Sequence, residues 1–338
     1  MIFVRSDGGV DEQLSGGGRS ARFVRAIATF GSFALLVLAA SEIVWPRVTH
    51  AVTLHRVGGG ASSLPTTAVP TSTTTTTTLP AVTIPPASRP YVVDQTNIEM
   101  TDTTREPSPR VAQPTLGRAM RLLVLRPDGA TGALPVIVFA HGFESEPEVY
   151  LPLLRSWAEA GYLVAAPELP GSARDLNGPP SSDDVAEAAR DVSFVVTELL
   201  AGDAGDVDAS RVAVAGHSDG GSSVAALALN TAYRDPRISA YLVLSGVIAP
   251  SITEGSWDSG TGAPLFVAVG TNDEYGDLPG STSVYQRAND PKTLVTVPGG
   301  DHLGIYIGTG STADGVRAAT TAFLDASLAP RRVLPRPS

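Results

Sequence analysis

Arg211-Val212-Ala213-Val214-Ala215 runs directly into Gly216-His217-Ser218-Asp219-Gly220-Gly221, and that turn runs into Ser222-Ser223-Val224-Ala225-Ala226-Leu227-Ala228-Leu229-Asn230. The first segment is a short, wholly apolar run after Arg211, the mark of a buried strand. The last is long, apolar and alanine-rich, and reads as a helix. The six residues between them fit G-x-S-x-G. A strand that enters a helix through so tight a turn has room only for very small flanking residues, which accounts for Gly216 and Gly220. The same turn holds the Ser218 hydroxyl out at the end of a sheet, beside the positive end of the following helix. The plain alternative is a glycine-rich turn with an idle serine. The choice between the two depends on what else the chain supplies.

A nucleophilic serine needs a base, and the chain has five histidines. His50 and His55 lie near the N-terminus. His217 sits inside the turn, with its side chain directed away from Ser218. His141 directly follows the apolar run Val136–Ala140 and reads as a residue that holds its loop. That leaves His302, in Gly299-Gly300-Asp301-His302, as the general base. The histidine needs an orienting carboxylate. The run Leu265–Val269 ends in Gly270-Thr271-Asn272-Asp273, and a carboxylate just past the carboxyl end of a strand lies on the face where α/β sites form. Asp273 is the first choice. Glu274 and Asp277 share its loop, and Asp301 adjoins the base without reaching its outer ring nitrogen. The order serine, aspartate, histidine separates this arrangement from two other serine-protease folds. For a developing oxyanion, the backbone N–H groups of Asp219 and Phe143 are the candidate donors, with Gly142 allowing close approach.

The rest of the body follows the same rhythm. Arg118–Leu125, Tyr162–Ala166, Ile238–Leu244 and Leu294–Val297 read as further strands. Val149–Ala160, Asp183–Ala201 (with Asp183 or Asp184 near its N-cap) and Ala313–Leu328 read as helices. Tyr91–Gln113 holds an edge strand without clear limits. Apolar strands alternating with helices predict an α/β fold, a mostly parallel, doubly wound sheet covered on both faces. Only about 19 residues separate Ile238–Leu244 from Leu265–Val269, so a large helical lid is not expected.

With these residues in place, residues 91–330 resemble the α/β-hydrolase superfamily. The esterase-like branch is the one resembled, with dienelactone-hydrolase-like proteins, platelet-activating-factor acetylhydrolases, chlorophyllases and cutinase-like polyester hydrolases. The resemblance rests on His141-Gly142-Phe143, Gly216 to Gly221, Gly270 to Asp273 and Gly300-Asp301-His302. It implies a serine hydrolase with Ser218, Asp273 and His302 as its triad. The chain departs from true dienelactone hydrolases, whose nucleophile is a cysteine. It also carries Asp219 where many esterases have a bulky apolar residue.

Upstream, residues 1–25 form a polar tail with Arg19, Arg22 and Arg25 just before the apolar run Ala26–Trp45. That run is long enough to span a bilayer, and the arginines predict a cytoplasmic N-terminus. Residues 26–46 are read as a signal anchor, or as a signal peptide cut near Ala39 or Ala51. Residues 47–90 follow as a stalk. Twenty of residues 61–90 are Ser, Thr or Pro, and that stretch has too little apolar character to build a core. Residues 331–338 form a C-terminal tail.

Composition narrows the chemistry. There is no cysteine in the 338 residues, which removes disulfides, thiol nucleophiles and cysteine-ligated metals. The net charge is −10, the opposite of a nucleic-acid-binding footprint. Residues 1–90 carry +3 and residues 91–338 carry −13, with Lys292 the only lysine, as expected of an exported body behind a basic leader. No cofactor and no metal are expected. The expected activity is hydrolysis of neutral carboxylic esters with short to medium acyl chains, from small molecules, lipids or polymers. Phe143, Trp257 and Tyr275 are candidate walls of the pocket, and Glu144, Glu146 and Glu148 are placed to repel anions. A peptidase or amidase of the prolyl-oligopeptidase-like kind shares the triad, and an envelope acyltransferase fits the exported location. The oligomeric state is not legible.

Overall fold

The computed structural model describes residues 90–329, apart from 111–115, 175, 177 and 276. The tail 1–25, the apolar run 26–46, the stalk up to residue 89 and the tail 331–338 lie outside the described residues. Among those described, no helix is long and apolar enough to cross a membrane.

In chain order the elements are β1 (Val93–Asp102), β2 (Arg118–Pro127), β3 (Leu134–Ala140), α1 (Leu151–Glu159), β4 (Leu163–Pro167), α2 (Val185–Ala201) and β5 (Val207–His217). They continue with α3 (Asp219–Leu229), β6 (Ala240–Leu244), β7 (Leu265–Gly270), α4 (Asp277–Arg287), β8 (Lys292–Val297), α5 (Gly304–Ile307) and α6 (Ser311–Ser327). The eight strands form one sheet in the order β1-β2-β4-β3-β5-β6-β7-β8. β2 runs antiparallel to both β1 and β4, and every other pairing is parallel.

Both faces of the sheet are covered over its inner strands, which is why β3, β4, β6 and β7 are apolar runs rather than alternating ones, while the edge strand β1 is polar and largely exposed. Val136, Val138, Val212 and Val214 join the core under α2, α3 and α4. Ile137, Phe139, Ala213 and Ala215 join the opposite core, under α1, α5 and α6. Period-two alternation sends successive residues of one strand to different cores.

The strand order reverses at β3. β4 lies on one side of it and β5 on the other, and Ala140 pairs with Gly216 at their carboxyl ends. An open α/β sheet presents its binding crevice at such a switch point. His141-Gly142-Phe143 leaves β3 there, beside the turn that leaves β5.

Some boundaries differ from expectation. The helix expected from Val149 begins as a 3-10 turn at Pro147–Tyr150, with the α-helix proper starting at Leu151. A second 3-10 turn, Ser182–Asp184, precedes α2. Ser181 caps it, accepting from the Asp183 N–H at 3.2 Å. Asp184 does not cap with its side chain, because its carboxylate accepts from Arg118 at 2.7 Å. Arg118 also meets the fully buried Asp191 of α2 at 2.6 and 2.8 Å. Arg105 pairs with the same aspartate and with Asp102. This buried cluster fastens β1 and β2 to α2. Helices α4 and α5 were not expected.

Candidate active site

Ser218 stands between β5 and α3 with φ 56° and ψ −121°, a strained backbone for a residue with a side chain. A Cβ on Gly216 would lie 2.2 Å from the Gly220 carbonyl oxygen, and one on Gly220 would lie 2.2 Å from that of Ala140. No side chain fits at either position, so the strained turn depends on both glycines.

Asp219 and Phe143, the expected oxyanion donors, both line the cleft that holds Ser218. The Asp219 N–H begins α3, ahead of the first helical bond from Ser222 N to the Ser218 carbonyl. In the loop after β3, the Gly142 N–H donates to the Tyr150 hydroxyl at 3.2 Å and the Glu144 N–H to the Ser172 carbonyl at 2.9 Å. The Phe143 N–H between them meets no acceptor among the described residues. A Cβ on Gly142 would crowd Ser218 Cβ at 3.1 Å and the Tyr150 hydroxyl at 3.2 Å, so glycine lets this loop lie against the serine without displacing either.

His302 is buried, and its Nδ1 donates to Asp273 Oδ2 at 2.8 Å. The Asp273 side chain is fully buried. Asp277 Oδ2 lies 3.4 Å from the same nitrogen. Glu274 meets the histidine differently, accepting from the His302 backbone N–H at 3.0 Å. Asp301 accepts from the Ile305 N–H and starts α5 instead. All three carboxylates of the loop after β7 are therefore turned toward His302, and only Asp273 is at full hydrogen-bond distance from the ring. Burial, and then the charge of Asp273, raises the pKa of Asp277.

The other two histidines are buried without free nitrogens. His141 Nε2 accepts from the Leu169 N–H at 2.9 Å, and Nδ1 lies 2.8 Å from the Gly142 carbonyl. Burial pushes its pKa down to about 4. His217 Nδ1 lies 2.8 Å from the Tyr150 hydroxyl and Nε2 lies 2.9 Å from the His302 carbonyl. Burial, and then the neighbouring His302, holds its pKa down at about 3. Its side chain is held between Tyr150 and the base loop, and it lines the cleft that holds Ser218.

Asp219 has a second character that its backbone role does not suggest. Its Oδ2 is buried with no hydrogen-bond partner among the described residues. Burial, and then repulsion from Asp277, raises its pKa to about 6.

These groups line a cleft of about 450 Å³ that holds Ser218, Asp219, His302, Phe143, Tyr275 and Arg174. Phe143 and Tyr275 are exposed at 40% and 74%, and the Tyr275 ring stands edge-on 4.6 Å from that of His302. Trp257, in contrast, is not in the cleft. It bridges to Asn230 beyond the carboxyl end of α3 and packs on the core there, at the far end of that helix from Ser218. Glu148 is also withdrawn, held by Arg121 at 2.6 and 3.0 Å, so of the three glutamates Glu144 lines the cleft. Residues 245–264 contain no helix. A larger cavity of about 860 Å³ lies between the end of β1, α2 and residues 232–237, and it contains none of the predicted site residues.

Asp273, Asp277 and His302 present ligand atoms within 4.8 Å of one another, the one such group among the described residues. The 2.8 Å contact between Nδ1 and Oδ2 is a hydrogen-bond length, so the proton on Nδ1 occupies the direction a metal would need. The constellation suits proton transfer. Tyr150 and Arg174 carry no motif that would have marked them. Tyr150 reaches the site from a turn eight residues past Gly142, a proximity set by tertiary packing alone.

The chlorophyllase family model matches residues 90–254. No curated protein matches the chain. Among solved structures, the ferulic acid esterase from Streptomyces cinnamoneus is 19% identical with a TM-score of 0.56, covering 76% of this chain and 96% of that one. The α/β hydrolase GrgF from Penicillium sp. sh18 is 15% identical with a TM-score of 0.53, covering 70% of this chain and all of that one. The chain thus has the α/β-hydrolase fold, and residues 90–254 are similar to the chlorophyllase family.

Proposed function

We propose that the chain is an exported serine hydrolase that cleaves neutral carboxylic esters with short to medium acyl chains. Ser218 attacks the ester carbonyl and His302 takes its proton. Asp273 orients the imidazole and stabilises its charged form. The N–H groups of Phe143 and Asp219 receive the oxyanion, and water then releases the acyl group from Ser218. The observation that carries this reading is the 2.8 Å bond from His302 Nδ1 to Asp273 Oδ2, in the cleft that also holds Ser218. The restriction to neutral esters is supported by Glu144, Asp219 and Glu274 on the cleft walls against a single cation, Arg174. Residues 26–46 anchor the protein in the membrane with the catalytic domain outside, or are cleaved to release it.

The test uses the full chain and 4-nitrophenyl esters from acetate to laurate. Turnover that disappears in Ser218→Ala, by on the order of 10⁴-fold or more, supports the triad. Undiminished turnover in that variant overturns it. Peptide or amide cleavage without ester cleavage would favour the peptidase reading, and transfer to an added alcohol outpacing hydrolysis would favour the acyltransferase. Protease accessibility on intact cells tests the location.

A further inference from the structure

We propose that Tyr150 and His217 are positioning residues, which join the oxyanion loop to the base loop through one hydrogen-bond chain with His217 fixed as the neutral Nε2–H tautomer. The proposal rests on the reading of Ser218 as nucleophile and His302 as base.

Each bond in the chain dictates the next. The His302 carbonyl can only accept, so its 2.9 Å contact with His217 Nε2 requires a proton on that nitrogen. A neutral imidazole so protonated has a lone pair on Nδ1, and the Tyr150 hydroxyl donates to it at 2.8 Å. The Tyr150 oxygen in turn accepts from the Gly142 N–H at 3.2 Å. The other tautomer would set the Nε2 lone pair against a carbonyl oxygen. The charged form would place a cation under the His302 ring, whose centroid is 4.5 Å away. Tyr150 and His217 are 1% and 2% exposed, so water does not compete for these bonds.

Two consequences follow for the reaction. His217 adjoins the nucleophile in sequence and lines the same cleft, yet both of its nitrogens are engaged. It is therefore not available to take the Ser218 proton, and His302 is the other histidine of the cleft. The chain also ties Gly142, next to the Phe143 N–H, to the backbone of His302. The group that receives negative charge and the group that receives the proton are held by the same three bonds. An error in their spacing acts on the transition state more than on substrate binding.

The first measurement is imidazole ¹⁵N NMR of the full-length wild-type protein between pH 4.5 and 8. The expected result is a His217 that stays neutral with its proton on Nε2 throughout. A His217 that titrates in this range, or carries its proton on Nδ1, overturns the proposal. The second measurement is kinetic. Tyr150→Phe should lower kcat about 10- to 100-fold and leave KM within about threefold. Its affinity for a trifluoromethyl ketone, which adds to Ser218 and forms an oxyanion, should fall in parallel. His217→Gln keeps an N–H near the Nε2 position and should retain much more activity than His217→Leu. A Tyr150→Phe protein with lowered Tm but unchanged kcat and ketone affinity would show a merely structural role and overturn the proposal. Should Ser218→Ala fail to abolish turnover, the esterase reading falls, and the NMR result alone judges the tautomer and its chain.

Discussion

Asp277 stands in reserve behind the His302 ring: its Oδ2 is 3.4 Å from the Nδ1 that Asp273 meets at 2.8 Å. A histidine with one orienting carboxylate loses about 10⁴-fold in kcat when that carboxylate is replaced. Here a second carboxylate can close the gap. Asp273→Ala is expected to cost only about 10²-fold, and Asp273→Ala/Asp277→Ala the remaining 10²-fold. Steady-state kinetics of the two single variants and the double variant measure this. Equal losses in Asp273→Ala and the double variant would deny Asp277 the role.

Asp219 places a carboxyl one residue from the nucleophile, without a hydrogen-bond partner for Oδ2 and with its pKa raised to about 6 by burial and by Asp277. Above that pH it is an anion beside the site where an oxyanion develops. Asp219→Asn keeps the backbone N–H and removes the charge. Its kcat/KM on a neutral ester should exceed that of the wild type by about threefold to tenfold at pH 8, and the two should converge near pH 5. A pH–rate profile of both proteins decides it.

Acid stability should show two opposing contributions. His141 and His217 have folded pKa values of about 4 and about 3, depressed by burial from an ordinary value near 6.5. Below about pH 6.5 the unfolded chain binds protons that the folded chain refuses, so stability falls as the pH drops toward 4. Asp219 acts in the other direction. Its raised pKa makes the folded chain bind a proton first, so it adds stability between about pH 6 and the ordinary aspartate value of 3.8. Denaturant unfolding from pH 8 to 4.5 should give a steeper acid loss for Asp219→Asn than for the wild type, by up to about 1.4 kcal/mol per pH unit. His217→Gln should give a shallower one.

Asp191 is fully buried on α2 and accepts from both Arg118 and Arg105. Removing one partner of a buried pair leaves the other charge uncompensated, at a cost of about 3–5 kcal/mol. Asp191→Ala should destabilise the protein by that amount in denaturant melts. Surviving protein should keep its KM, because the cluster lies under β1 and β2 rather than at the cleft.

What the sequence reveals follows physical lines. Strands β3 to β7 are legible because burial on both faces leaves apolar runs with few polar interruptions. The turn at Gly216–Gly221 is legible because its sterics admit few residues, and His302 because only five histidines had to be sorted. Helix α4 escaped because Asp277–Arg287 is mostly polar, with Ser281 and Val284 its buried residues. Trp257 was misplaced because an aromatic in a loop gives no sign of which end of a helix its loop crosses. Tyr150 was invisible for a similar reason, since a hydroxyl in a buried relay leaves no spacing to read. Asp273 is legible as the carboxylate just past the end of a strand, whereas the turning of Glu274 and Asp277 toward the same histidine leaves no mark in the sequence.

The segment between β6 and β7 reaches from Ser245 to Pro264 without forming a helix. A hydrolase with a hinged cover must first expose its nucleophile, and often does so at an oil–water boundary. On the proposed esterase reading, this segment supplies no helical cover to be moved first. The rate on a sparingly soluble ester should therefore saturate with dissolved monomer and show no jump where droplets or micelles begin.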